Sequence, residues 1–152
     1  MAYATQQARQ ELLDAIAEAT GHIGAALAAL GAAYEQLDEQ SGDRLEEELF
    51  RPVQLAYGRA RRTHTGFAER HGLPERTFEP PAAGHASQGV KGFIESAIES
   101  AAAADLELST LQDSMRPVEV GDPELRAGLA DVRELLSDLR SRSRRFVSLF
   151  GR

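Results

Sequence analysis

Apolar residues recur along the chain in steps of four and three. Leu12, Ile16, Ala19, Ile23, Ala26, Leu30, Ala33 and Leu37 form the first such run. Steps of this size return side chains to one face of a helix, so the run predicts a long amphipathic helix. Leu49, Val53, Ala56, Ala60, Thr63 and Phe67 form a second run, and Val90, Ile94, Ala97, Ala101, Ala104, Leu108, Leu111 and Met115 a third. A fourth reads Leu125, Leu129, Val132, Leu136, Leu139, Ser143, Phe146 and Phe150. Four runs of this regularity leave little room for a sheet.

The punctuation agrees with the periodicity. Asp43 and Glu46 have the spacing of a capping box, and Glu47 and Glu48 suit the positive end of a helix dipole. His71-Gly72-Leu73-Pro74 should end that helix, because Gly72 can turn left-handed and Pro74 cannot continue it. Ser87 can open the third helix and Arg116-Pro117 close it. Asp122-Pro123-Glu124 places a cap, a first-turn proline and an acid in their preferred order. Pro52 should kink the second helix or mark a later start. The expected helices are 4–38, 43–71, 87–115 and 123–150. Each is about 40 Å or more long at ~1.5 Å per residue. Short links within the first and last pairs favour antiparallel neighbours. The longer link 73–86, with Pro74, Pro80, Pro81 and Gly84, is expected to be mobile or to cross the bundle end. The fold expected is one all-α domain over 1–152, an antiparallel up-down-up-down four-helix bundle.

Composition narrows the function classes. With 152 residues, 42% apolar and 27% charged, the chain can bury a full core. It has no cysteine, which excludes disulfides, thiolate chemistry and Cys-based zinc sites. The first residues lack the basic start and apolar run of a signal peptide. No stretch approaches the roughly 20 apolar residues that span a bilayer. A cytoplasmic protein is the simplest expectation. The net charge of −7 disfavours nucleic acid and anionic membrane as partners.

Candidate chemistry is sparse. Many core positions are alanine (Ala19, Ala26, Ala33, Ala56, Ala60, Ala97, Ala101, Ala104), which predicts close helix axes and a dry interior. The expected bundle resembles the ferritin-like di-iron proteins in shape, whose inner faces carry carboxylates and paired Glu-x-x-His motifs. No glutamate here has a histidine three residues on, and Glu11, Glu18, Glu95 and Glu99 fall on outer faces. Glu18 and His22, at spacing four, could chelate one ion, but two ligands make a weak site. His85-Ala-Ser-Gln-Gly resembles the His-x-x-Lys-Gly of histidine phosphotransfer domains, with Gln88 in place of the lysine and His85 beside Gly84 at a helix entrance. There is no Gly-x-Ser-x-Gly, P-loop or dinucleotide fingerprint. No cofactor is expected.

Three surfaces stand out. From Ala19 to Tyr34 the first helix carries no charge, and its outer positions Ala17, Gly21, Gly24, Ala28 and Gly31 are tiny. A helix covered only on its inner side should be charged outside, so this stripe suggests a subunit interface and a homodimer or higher oligomer. Up-down-up-down order would gather Arg59, Arg61, Arg62 and Arg70 near Arg140, Arg142, Arg144, Arg145 and Arg152. That patch would suit an acidic protein segment or a phosphate-bearing ligand. Phe50, Tyr57, His64 and His71 recur every seven residues on one flank of the second helix and are the expected wall of any pocket. The leading functional expectation is a non-enzymatic bundle acting through protein contacts, as oligomeric scaffold, adaptor or regulator. A degenerate ferritin-like metal- or small-ligand-binding bundle is the alternative, followed by phosphotransfer at His85.

Overall fold

The computed structural model describes residues 2–150, with side chains described from Gln6 onward except at Ala86. All regular structure among these residues is helical. Helix α1 spans Ala2–Glu35. A second run leads from α2, Glu39–Leu45, through a π-helical turn at Glu46–Phe50 into α3, Arg51–His71. Helix α4, Gly89–Asp113, follows a 3-10 turn at Ala86–Gln88. After α5, the single turn Arg116–Glu119, the last run comprises α6, Pro123–Leu136, and α7, Leu139–Phe150.

Several boundary signals act as read. Gly72 ends α3 at φ 65°, a left-handed conformation that glycine adopts without a Cβ penalty. The Asp122 carboxylate opens α6 by accepting from the Leu125 N–H at 3.0 Å. Pro52 does not start the helix. The π turn just before it widens the backbone where the proline supplies no N–H.

Others move. The second run starts at Glu39, because Asp38 rather than Asp43 caps it, accepting from the Ser41 N–H at 2.8 Å. The third helix stops at Asp113, and Met115, the last residue of its apolar series, is left-handed and exposed. The fourth run breaks at Ser137, whose hydroxyl and N–H both donate to the Glu134 carbonyl. Such local hydrogen bonds compete with the helix ladder.

The core follows the apolar spacing except at the ends of two series, where Met115 and Phe150 are exposed. Leu12, Ile16, Ile23, Leu30, Leu49, Val53, Phe67, Ile94, Leu108, Leu129, Val132 and Phe146 are all buried. Alanines 26, 33, 56 and 104 are fully buried between them and let the axes approach. Helix α1 packs on α4 and α3, and α6 on α3 and α4.

Cross-helix contacts fix the directions. Glu11 meets Arg116 and His22 meets Glu107, so α4 runs antiparallel to α1. Arg59 meets Asp131, Arg70 meets Asp122 and Arg142 reaches the Glu48 carbonyl, so the α6–α7 run is antiparallel to the α2–α3 run. Up-down-up-down order would instead lay α1 and α4 parallel. The sequence expectation is therefore corrected on this point.

The same contacts explain the long link. Chain ending at His71 lies beside Asp122, at the opposite end from Gly89, so residues 73–88 must travel the length of the molecule rather than across its end. They do so against the first two helical runs. The Phe78 ring stands edge-on to His64 at 4.9 Å, and a Cβ on Gly24 would lie 3.7 Å from Pro80 Cα. About sixteen residues at ~3.3 Å each reach further than the ~38 Å of α4.

One further expectation needs correction. Gln6–Glu35 is long and apolar enough, by length and composition, to cross a membrane, although half of its most apolar window is buried in the fold.

Candidate functional site

Helix α1 meets α4 along a seam of small residues, with Ala19, Ile23 and Ala26 on one side and Ala101, Ala104 and Leu108 on the other. Residues flanking that seam are brought face to face. Glu18 and His22 lie one turn apart at the edge of α1, and Glu107 lies opposite on α4. His22 Nε2 is 3.9 Å from a Glu107 oxygen, and one donor atom from each of the three lies within 4.8 Å of the others.

The electrostatics are those of crowded acids. Burial, then a hydrogen bond with Glu18, then the Glu18 charge push the Glu107 carboxyl up to about 7. The Glu107 carboxyl is therefore only partly ionised near neutrality. Glu107 also lines a groove of about 590 Å³ with Ala15, Ala103, Leu106, Thr110 and Arg116. Arg116 also makes a 3.1 Å bridge to Glu11. Two carboxylates and an imidazole beside a groove can exchange protons or chelate a cation.

Comparison with protein-family models, curated proteins and solved structures returns no match. Fold and site thus carry the functional argument alone.

The structure distributes the other sequence-derived candidates. In the heptad row, Tyr57 packs on Gly24, His64 on Phe78, and His71 on Phe67 with its Nε2 2.9 Å from Asp122. Phe50 is half-buried against the core. The row is packed residue by residue against neighbouring elements. His64 is buried with Nδ1 lacking a hydrogen-bond partner. Burial, then the Arg76 charge, lower its pKa, against a smaller opposing pull from Asp14.

The small-residue stripe of α1 is divided. Ala17 and Gly24 are buried, with Gly24 under Tyr57 and Pro80 of the same chain. Gly21 is exposed, Ala28 and Gly31 are half-buried, and nothing stands within 4 Å of a Cβ placed on Gly21 or Gly31. Part of the uncharged face is therefore covered by the chain's own crossover.

The arginines are not gathered. Arg59 is bridged to Asp131 at 3.0 Å, and Arg62 lines a groove with Arg76 and Phe78. Arg140 and Arg144 line another groove, of about 510 Å³, with Lys91, Glu95 and Glu99. Arg142 donates to the Glu48 carbonyl and Arg145 is exposed. Because the second and fourth runs are antiparallel, α3 and α7 place their arginines at different levels. The expected single patch is corrected to two separate groups, and Arg152 lies outside the described residues. His85 is exposed on the crossover, ahead of the 3-10 turn, and accepts the Gln88 N–H at its carbonyl.

Two features escaped sequence reading. Glu107 completes the Glu18 and His22 pair, but only the α1–α4 register reveals it. Asp122 was recognised as a cap, yet it is also a buried hub that accepts from Arg70 Nε and Nη2 at 3.0 Å each. Burial alone would raise its pKa. The Leu125, His71 and Arg70 hydrogen bonds and the guanidinium charge outweigh burial and hold it below the ordinary value.

Proposed function

We propose that the protein is a four-helix bundle, run up-down-down-up, that works without catalysis by presenting helix faces to other proteins as a scaffold, adaptor or regulator. The observation that carries this reading is how the buried polar groups are spent, His64 with its unpartnered Nδ1 excepted. The Thr20, Thr63 and Ser143 hydroxyls donate to the carbonyls of Ile16, Arg59 and Arg140 in their own helices. Asp122 is consumed by its cap, Arg70 and His71. Recognition then falls to the surface.

There, Leu106 is 68% exposed on the groove between α1 and α4, and Met115 and Val118 are exposed in the chain that follows α4. Exposed apolar residues with a charged rim of Glu107 and Arg116 suit a partner segment that is apolar with flanking charges. An acidic or phosphate-bearing partner on a pooled arginine surface is not part of this reading, since the arginines are divided.

Capture from the native cell with wild type and with Leu106→Glu as baits tests it. A partner retained by the first and lost by the second is expected. Identical recovery with both baits removes this face from the proposal. Self-association, for which part of the α1 stripe stays open, is tested separately by light scattering. A monomeric mass at micromolar concentration would eliminate it.

A further inference from the structure

We propose that Glu18, His22 and Glu107 form a binding site for a divalent transition metal, with Zn²⁺ the ion their donors fit. The site stands independently of the protein-contact reading. Imidazole nitrogen with carboxylate oxygen is a donor set that zinc accepts, whereas magnesium keeps its waters and favours oxygen-only shells. The donors come from two helices, so they are placed by the packed α1–α4 seam rather than by one flexible segment.

A second observation points the same way. Among the described residues, no arginine or lysine forms an ion pair with Glu18 or Glu107. Arg116, which shares the groove with Glu107, is committed to Glu11. The two carboxyl groups thus keep oxygens that no arginine or lysine engages, open to a divalent cation beside the His22 ring. Ligand distances of about 2.0–2.2 Å require donor separations near ~3.4 Å. The present spread of up to 4.8 Å closes by rotation of two glutamate side chains, of which Glu18 is exposed. Three protein ligands leave a fourth position for water. A bound ion would tie α1 to α4.

The test is titration calorimetry of the chelator-stripped full chain with ZnCl₂, paired with thermal melts. Saturable 1:1 binding with a Kd on the order of 10 µM is expected, with a melting point raised by a few degrees or more. His22→Ala and Glu107→Gln should each weaken binding at least tenfold, and His85→Ala should leave it unchanged. If either variant loses helicity, Glu18→Gln, at an exposed position, decides, with at least a fivefold loss expected. No saturable binding up to 100 µM, or equal affinity in the cluster variants, overturns the site. Magnesium binding tighter than zinc overturns the donor argument. Failure here leaves the capture experiment with Leu106→Glu unaffected, so the two readings fail separately.

Discussion

Single residues in this fold act through what they leave out or leave unpaired. Gly128 in α6 faces Thr63 of α3 so closely that a Cβ would fall on the threonine hydroxyl and methyl. Both positions are buried, and the Thr63 hydroxyl is already bonded to the Arg59 carbonyl, so neither side yields freely. Gly128→Ala, which on an open helix would stabilise by about 1 kcal/mol, is expected to destabilise by about 1–3 kcal/mol, read in urea unfolding. His64 shows the opposite economy, a polar ring with an orphaned Nδ1 in an apolar setting. Its folded pKa lies below its ordinary value, so the fold prefers the neutral ring. The stability it protects is complete above about pH 6.5, the unfolded value, and is lost as pH falls from there toward the folded pKa. Unfolding free energy should therefore fall between pH 7 and pH 5 in wild type more than in His64→Gln. Parallel curves would show that His64 is not the source.

At the scale of elements, the crossover 73–88 reorganises what the helix faces mean. Gly24 was legible as an anomaly, a glycine on an uncharged outer stripe, but the stripe does not reveal what covers it. The answer is Pro80 and Tyr57 of the same chain. Gly24→Leu should lift the crossover while leaving the helices intact, because a Cβ there already meets Tyr57 at 3.1 Å. Trypsin cleavage at the exposed Arg76 is expected to accelerate severalfold in Gly24→Leu and not in Gly31→Leu, whose Cβ would meet open space. Equal cleavage in the two variants would mean that Gly24 does not seat the crossover. The helices themselves were legible because seams such as Leu12 to Ala33 record burial directly in residue type. Ends were less so. Asp38 and Asp43 are both competent caps, and spacing alone does not reveal that Asp38 meets the free N–H groups first. The Ser137 break is likewise silent, because serine is tolerated in helices and only its hydrogen bond to Glu134 reveals the disturbance.

For the whole molecule, the question that periodicity left open is direction. Apolar spacing says which face is buried and not which way the neighbouring rod runs, so two chain orders fit the same four seams. Charge supplies the difference, through pairs that no local pattern encodes: Glu11 with Arg116, Arg59 with Asp131, and Arg133 with Asp105. The candidate metal cluster was half legible for the same reason. Glu18 and His22 follow from a four-residue step, but Glu107 joins them only if α4 runs antiparallel to α1. Direction is therefore the premise on which the site rests, and it can be measured without cysteine background, since the chain has none. Nitroxide labels at Glu11→Cys and Arg116→Cys should lie close together, since the native side chains form a 3.1 Å ion pair. Labels at Glu11→Cys and Lys91→Cys should be on the order of 35 Å apart, the rise of the 25 residues that separate Lys91 from Arg116. Parallel α1 and α4 would reverse the two distances. That result would slide Glu107 about 8 Å along the axis from His22 and about 13 Å from Glu18, and the cluster would no longer exist as a site.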